Sequence, residues 1–223
     1  MKRTALILGA LALLSASAVY AAVGISGTAH DLQDATTGAD TAATTRTCVF
    51  CHTPHSANGS SAAPLWNRST PAGPFTMYSG GITGEQDAAP GGLSLACLSC
   101  HDGTISLGAL LNLDAATADL AMIDVAGGAT ITANKFTAGA ALVGTNLSTS
   151  HPIGVDYGDV SGDPNRFKLT SAVTAAGLPL EDRGGTNNAS VECATCHNPH
   201  DDTNGFFLRV DNAGSALCTT CHL

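Results

Sequence analysis

Apolar residues are spread thinly along this chain and form few regular runs. The longest is Thr4 to Ala18, which follows Lys2 and Arg3 and precedes Val19-Tyr20-Ala21. A charged end, an apolar stretch and small residues, in that order, are the layout of a secretory signal, with cleavage expected after Ala21. The run is too short for a membrane span, and charged or polar residues interrupt every later apolar segment. No integral membrane span is therefore expected in the mature chain. Residues 22–47 are small and polar and read as an extended arm. Residues 56–95 are rich in Gly, Ser and Pro, and a short helix is expected within residues 92–112. From Asp114 to Gly144 the chain is rich in Ala, Gly and Thr, with scattered Val, Ile and Leu. A few short strands are expected there, around Ile131 and Phe136.

Composition sharpens this picture. Aromatic residues make up 4% of the sequence, so the conventional core must be thin. Cleavage after Ala21 leaves 202 residues, one domain or two at most. The fold expected is mostly coil, with short helices and little sheet. Loss of Lys2 and Arg3 leaves 7 basic residues against 18 acidic ones, a formal charge of −11. Such a surface has nothing with which to hold nucleic acid or an anionic membrane.

The chemistry lies in the cysteines. Cys48-Val49-Phe50-Cys51-His52 is a C-x-x-C-H motif. It recurs at Cys97 to His101, at Cys193 to His197 and at Cys218 to His222, and these four motifs use all 8 cysteines. Four disulfides or two zinc sites would use the cysteines equally well, but neither explains a histidine after every second cysteine. With 8 histidines in 223 residues, chance placement at four chosen positions has odds on the order of one in a million, so the motif reads as covalent haem attachment. Cys48, Cys51, Cys97, Cys100, Cys193, Cys196, Cys218 and Cys221 would bond the vinyl edges of four c-type haems. His52, His101, His197 and His222 would then reach the irons from one face.

Four histidines remain, His30, His55, His151 and His200, one for each iron. Four bis-histidine haems are expected, and a six-coordinate iron moves electrons without binding substrate, so no enzyme activity is expected. His55 and His200 each follow a proximal histidine by three, in His-Thr-Pro-His and His-Asn-Pro-His. Neither can straddle the haem of its own motif. The parts recur in order, one set within about 22–112 and another within 145–223, joined by a haem-free stretch. This repeat suggests two haem pairs, with His55 serving the Cys97/Cys100 haem and His200 the Cys218/Cys221 haem. His30 and His151 are left for the other two. The residue before a proline favours extended backbone, which projects the imidazole of His151 well. Trp66 is expected against a porphyrin or as a core anchor. Asp156, Asp159 and Asp163 read as solvated turns, since their spacing does not match a calcium loop.

Cys-Val-Phe-Cys-His-Thr-Pro-His, Pro-Leu-Trp-Asn-Arg, Cys-Leu-Ser-Cys-His-Asp-Gly-Thr and Ser-His-Pro-Ile-Gly together resemble the doubled C-x-x-C-H multihaem cytochromes of metal-respiring microbes. With four motifs and this length, the chain is most similar to the tetrahaem extracellular cytochromes that form filaments. The resemblance covers His30 to His222. It implies a chain wrapped around four stacked haems, an extracellular or cell-surface location, and a head-to-tail homopolymer in which one axial histidine comes from the neighbouring protomer. Other redox cytochromes and external electron acceptors would be its partners. His30, on a polar arm, is the first choice for the crossing ligand and His151 the second. A monomeric periplasmic or outer-surface carrier is the alternative.

Overall fold

The computed structural model describes residues 24–33, 45–113, 121–122, 129–184 and 188–223. The expected signal segment, residues 1–21, lies outside them, as does part of the stretch from Asp114 to Gly144. Coil and turns predominate, as the composition implied. The regular elements are short. A 3-10 turn covers Thr47–Phe50, and helix α1 covers Gly92–His101. Strands β1 (Thr130–Thr132) and β2 (Lys135–Ala138) follow, then β3 (Val155–Asp156), α2 (Tyr157–Val160) and α3 (Thr170–Ala175). Strand β4 (Ser190–Val191), α4 (Cys193–Cys196), a 3-10 turn at Ala213–Ser215 and α5 (Ala216–Cys221) complete the order. Short strands were expected around Ile131 and Phe136; β1 and β2 lie there and form a small hairpin, with those two residues paired across it. Strands β3 and β4 form a second antiparallel pair. Among the described residues no helix is long and apolar enough to cross a membrane.

The apolar core is divided into small clusters. One gathers Leu32, Phe50, Leu107, Leu110, Met122, Ala129 and Phe136. A second gathers Tyr157, Val160, Val173, Leu178 and Val191. The third joins Trp66 to Ala63 and Ala96. Trp66 is thus a packing anchor, with its ring edge-on to His52 at 5.9 Å.

The two halves of the sequence interlock, because polar side chains from the second half hold the helix of the first. Gly91 and Gly92 open α1, and Gly92 has φ near +50°, a conformation that favours glycine. A Cβ at either position would collide with Arg183 or Glu181. Glu181 accepts from the Leu93 N–H at 3.0 Å, capping the start of α1. Glu192, almost fully buried, accepts from Ser94 of α1 and from Ser190, and it pairs with Arg183 at 2.6 Å. The same carboxylate forms a capping box with Thr195 at the start of α4. Ser94 in turn accepts from the Cys193 N–H at 3.0 Å.

Asp156 and Asp163 act as turn acceptors, whereas Asp159 accepts across a long range; Asp156 is buried, where a solvated turn was expected. Asp156 accepts from Gly158, Asp159 from Glu85 and Asp163 from Asn165. The arm that carries His30 does not extend away from the chain. Leu32 enters the first core cluster and Asp31 is buried.

Candidate functional site

Each C-x-x-C unit lies on one helical turn, which puts cysteines three apart on the same face. The turn ends at the histidine. The His52 N–H donates to Cys48 O at 2.8 Å, that of His197 to Cys193 O at 3.0 Å and that of His222 to Cys218 O at 2.9 Å. At His197 and His222 the backbone then becomes extended.

A second segment runs beside the histidine of the first and third motifs in the same way. Thr53 N–H donates to Leu65 O and Asn67 N–H to Cys51 O. In parallel, Asn198 N–H donates to Phe207 O and Arg209 N–H to Cys196 O. Leu65 and Phe207 occupy matching places, and both are in the left-handed region, with φ of 54° and 57°. This is the structural form of the internal repeat.

These segments fix the imidazoles. A carbonyl oxygen can only accept, so a ring nitrogen bonded to one must be the protonated nitrogen. His52 Nδ1 donates to Pro64 O at 2.8 Å and His101 Nδ1 to Ala141 O at 2.7 Å. His197 Nδ1 donates to Phe206 O at 2.9 Å, and His151 Nδ1 to Pro152 O at 2.9 Å. His30 Nδ1 lies 3.3 Å from Pro199 O, with its ring stacked on Phe207 at 4.1 Å. Each such bond leaves Nε2 as the free lone pair, the usual outer-shell arrangement of a metal-binding histidine. Burial, together with the neighbouring His101, lowers the His30 pKa to about 4. Burial also lowers those of His101 and His222. All three rings are therefore neutral near pH 7, as ligation requires.

The rings meet in pairs. His30 and His101 have centroids 6.1 Å apart, His52 and His200 6.1 Å, and His151 and His222 6.4 Å. A ligating nitrogen sits about 2 Å from its metal and about 1 Å from its own ring centre, so two imidazoles on opposite sides of one ion are separated by roughly 6 Å. The three pairs have that spacing. His55 and His197 enter no ring pair of this spacing among the described residues, and both are exposed, although His197 is near enough to His101 to help lower its pKa.

The pairing differs from the one expected. His200 stands opposite His52 of the first motif, where the fourth motif was expected. His30 stands beside His101, where His55 was expected, with the ring centroids 6.1 Å apart. The order of the sequence repeat suggested that partners lie within each half. Interlocking through Glu181 and Glu192 instead brings the 199–207 loop beside the N-terminal arm and the first motif.

The thiols are arranged in chain order. Burial pushes the Cys51 thiol up to about 12, with Cys100 contributing. Burial pushes Cys196 up to about 11, with Cys221 contributing. The Cys97 thiol lies within hydrogen-bonding reach of the Cys193 thiol, which raises the pKa of the first and lowers that of the second. The first motif therefore adjoins the second, the second adjoins the third, and the third adjoins the fourth. All eight cysteines are unbridged. No group of three or more His, Cys, Asp or Glu among the described residues is arranged to enclose a metal ion.

Residues 186–223, which hold the third and fourth motifs, match the family model described as the doubled CXXCH motif. No curated protein matches the chain. The matched segment is similar to multihaem c-type cytochromes. Its motifs imply covalent haem c, and the residues fit that group. Paired thiols lie on one helical face, and three pairs of imidazoles have ring centroids at trans-ligand spacing. Two functional features escaped the sequence reading, the carbonyl partners of Nδ1 and the buried Arg68. The Pro-Leu-Trp-Asn-Arg string was the available signal for both, since it supplies Pro64 O and Arg68 itself.

Proposed function

We propose that this chain transfers electrons through four covalent c-type haems, each iron held between two histidines. We further propose that it does so as the subunit of an extracellular conducting filament. The cysteines named above would attach the haems. His52 with His200, His101 with His30 and His222 with His151 would hold three irons within one chain. The adjacency of the thiols supports a single file of four sites in sequence order, which suits stepwise electron transfer to other redox proteins or to external acceptors. Irons ligated on both faces leave no position for substrate, so the function is conduction without catalysis.

One observation carries the filament reading. Among the described residues three histidine pairs have the spacing of trans ligands, and His55 and His197 belong to none of them. His197 belongs to a C-x-x-C-H motif and has its Nδ1 anchored, so its iron needs one further ligand. His55 is exposed and belongs to no pair. A second copy of the chain that inserts its His55 opposite His197 completes both. The donating and accepting surfaces differ, so the contact is head-to-tail and propagates as an open helix unless the rotation closes.

The test is intact mass and electron microscopy of the exported protein, beside His55→Ala. Four haem additions and filaments are expected from the wild type. From the variant we expect four haems, no filaments and one high-spin iron in four. A wild type that is strictly monomeric at high concentration would leave the carrier reading in its place.

A further inference from the structure

Arg68 has no exposed surface. One terminal nitrogen of its guanidinium donates to Leu107 O at 2.7 Å. The other donates to Ser106 O at 2.6 Å and to Ser99 O at 3.2 Å. Its Nε–H is buried and meets no acceptor, and no carboxylate lies within ion-pair distance among the described residues. Buried charges are ordinarily paired, and a lysine or histidine in this position would escape by losing its proton. A guanidinium cannot. The positive charge is therefore permanent and is met only by carbonyl dipoles.

Its place in the fold gives that charge a role. Ser99 lies between Cys97 and Cys100 of the second motif. The neighbouring Asn67 donates its N–H to Cys51 O and its side-chain amide to Val49 O, both in the first motif. Arg68 is thus enclosed between the first two attachment sites. A second buried donor without a partner, Trp66 Nε1, lies two residues before it. The later motifs have a different neighbour. There the fully buried charge is the Glu192 carboxylate, between Ser94 of α1 and Cys193 and balanced by Arg183, while Arg209, which donates to Ala194 O of the third motif, is only half-buried and so better screened than Arg68.

We propose that Arg68 raises the reduction potentials of the haems on the first and second motifs above those on the third and fourth. This rests on the haem-attachment reading. Each site takes one electron and passes from ferric to ferrous, losing one unit of positive charge. A fixed cation in a poorly screened interior stabilises the product of that step. Electrons then settle preferentially at the end of the file that holds Cys48 and Cys97. Arg68 is a positioning residue for charge and does not itself ligate iron.

The experiment is a dithionite titration of the full-length holoprotein, followed spectroscopically, for wild type, Arg68→Met and Arg68→Lys. Each sample is first checked for four haems by intact mass. Two of the four midpoint potentials should fall in Arg68→Met at every pH. In Arg68→Lys they should return toward wild type only as the pH is lowered and the buried lysine takes up its proton. Four unchanged midpoints in Arg68→Met would overturn the proposal. So would Arg68→Lys midpoints as low as those of Arg68→Met at acidic as well as neutral pH, because packing and not charge would then be responsible. If Arg68→Met does not mature, the wild type decides by NMR assignment of its haem methyls. The two highest potentials must belong to the Cys48/Cys51 and Cys97/Cys100 haems, and any other assignment overturns the proposal. A wild type without covalent haem would instead refute the attachment reading on which this rests.

Discussion

His52 and His200 hold their rings 6.1 Å apart and 28° from parallel, although they come from opposite halves of the chain. In the proposed reading, the second histidine of the third motif's His-Asn-Pro-His string would serve the first motif. His200→Ala should therefore leave the iron of the first motif high-spin, with its thioethers intact. Combining His200→Ala with Cys48→Ser and Cys51→Ser should abolish the high-spin signal, because that haem is then lost. Combining it with Cys218→Ser and Cys221→Ser should leave the signal in place. The reverse pattern would mean that His200 ligates the fourth haem.

His30 packs on Phe207, and its ring faces His101 within the same chain. His30→Ala should convert one iron to high-spin even at high dilution and should leave filaments visible by electron microscopy. Filaments lost in this variant but retained in His55→Ala would exchange the roles of the two residues.

Ser94 and Glu192 join the helix of the second motif to that of the third. Glu192→Ala removes one of the two carboxylate partners of Arg183, Asp87 remaining at 3.1 Å, and the acceptor for two buried hydroxyls, and it should cost roughly 2–3 kcal/mol of stability. Ser94→Ala should cost roughly 1–2 kcal/mol. Denaturant unfolding of the holoprotein measures both. Equal and negligible losses would show that the buried carboxylate does not hold the halves together.

The Tyr157 hydroxyl lies 2.7 Å from Lys168 O and 3.1 Å from Cys221 O, tying the core of the second half to the last motif. Tyr157→Phe leaves both carbonyls without this donor and should lower stability by about 1 kcal/mol. The change should appear in denaturant unfolding with no change in haem content.

The sequence made the attachment sites legible because C-x-x-C-H is a local device. Cysteines three apart share a face of any helical turn, and the histidine follows at once. The thin core was legible from the shortage of large apolar side chains, and the short strands at Ile131 and Phe136 from β-branched and aromatic residues. The partners of the distal histidines were not legible, because they depend on contacts far apart in sequence. Nothing local to His200 points to His52. The arm around His30 read as free because it is polar, yet one apolar residue, Leu32, was enough to seat it beside Phe50. Asn67-Arg68-Ser69 has the form of an Asn-x-Ser glycosylation sequon, a pattern that local sequence alone cannot place. The Asn67 side chain is fully buried and bonded to Val49 O and Asn112 O, so it cannot carry a glycan.

The most direct measurement is a near-atomic electron cryomicroscopy reconstruction of the native assembled protein, read at the iron bound to His197. Density for the neighbouring protomer's His55 imidazole on the opposite face of that iron is expected, with the other three irons ligated wholly within one chain. An iron at His197 ligated by a residue of its own chain, or a native protein that forms no assembly at all, would contradict a site completed between copies.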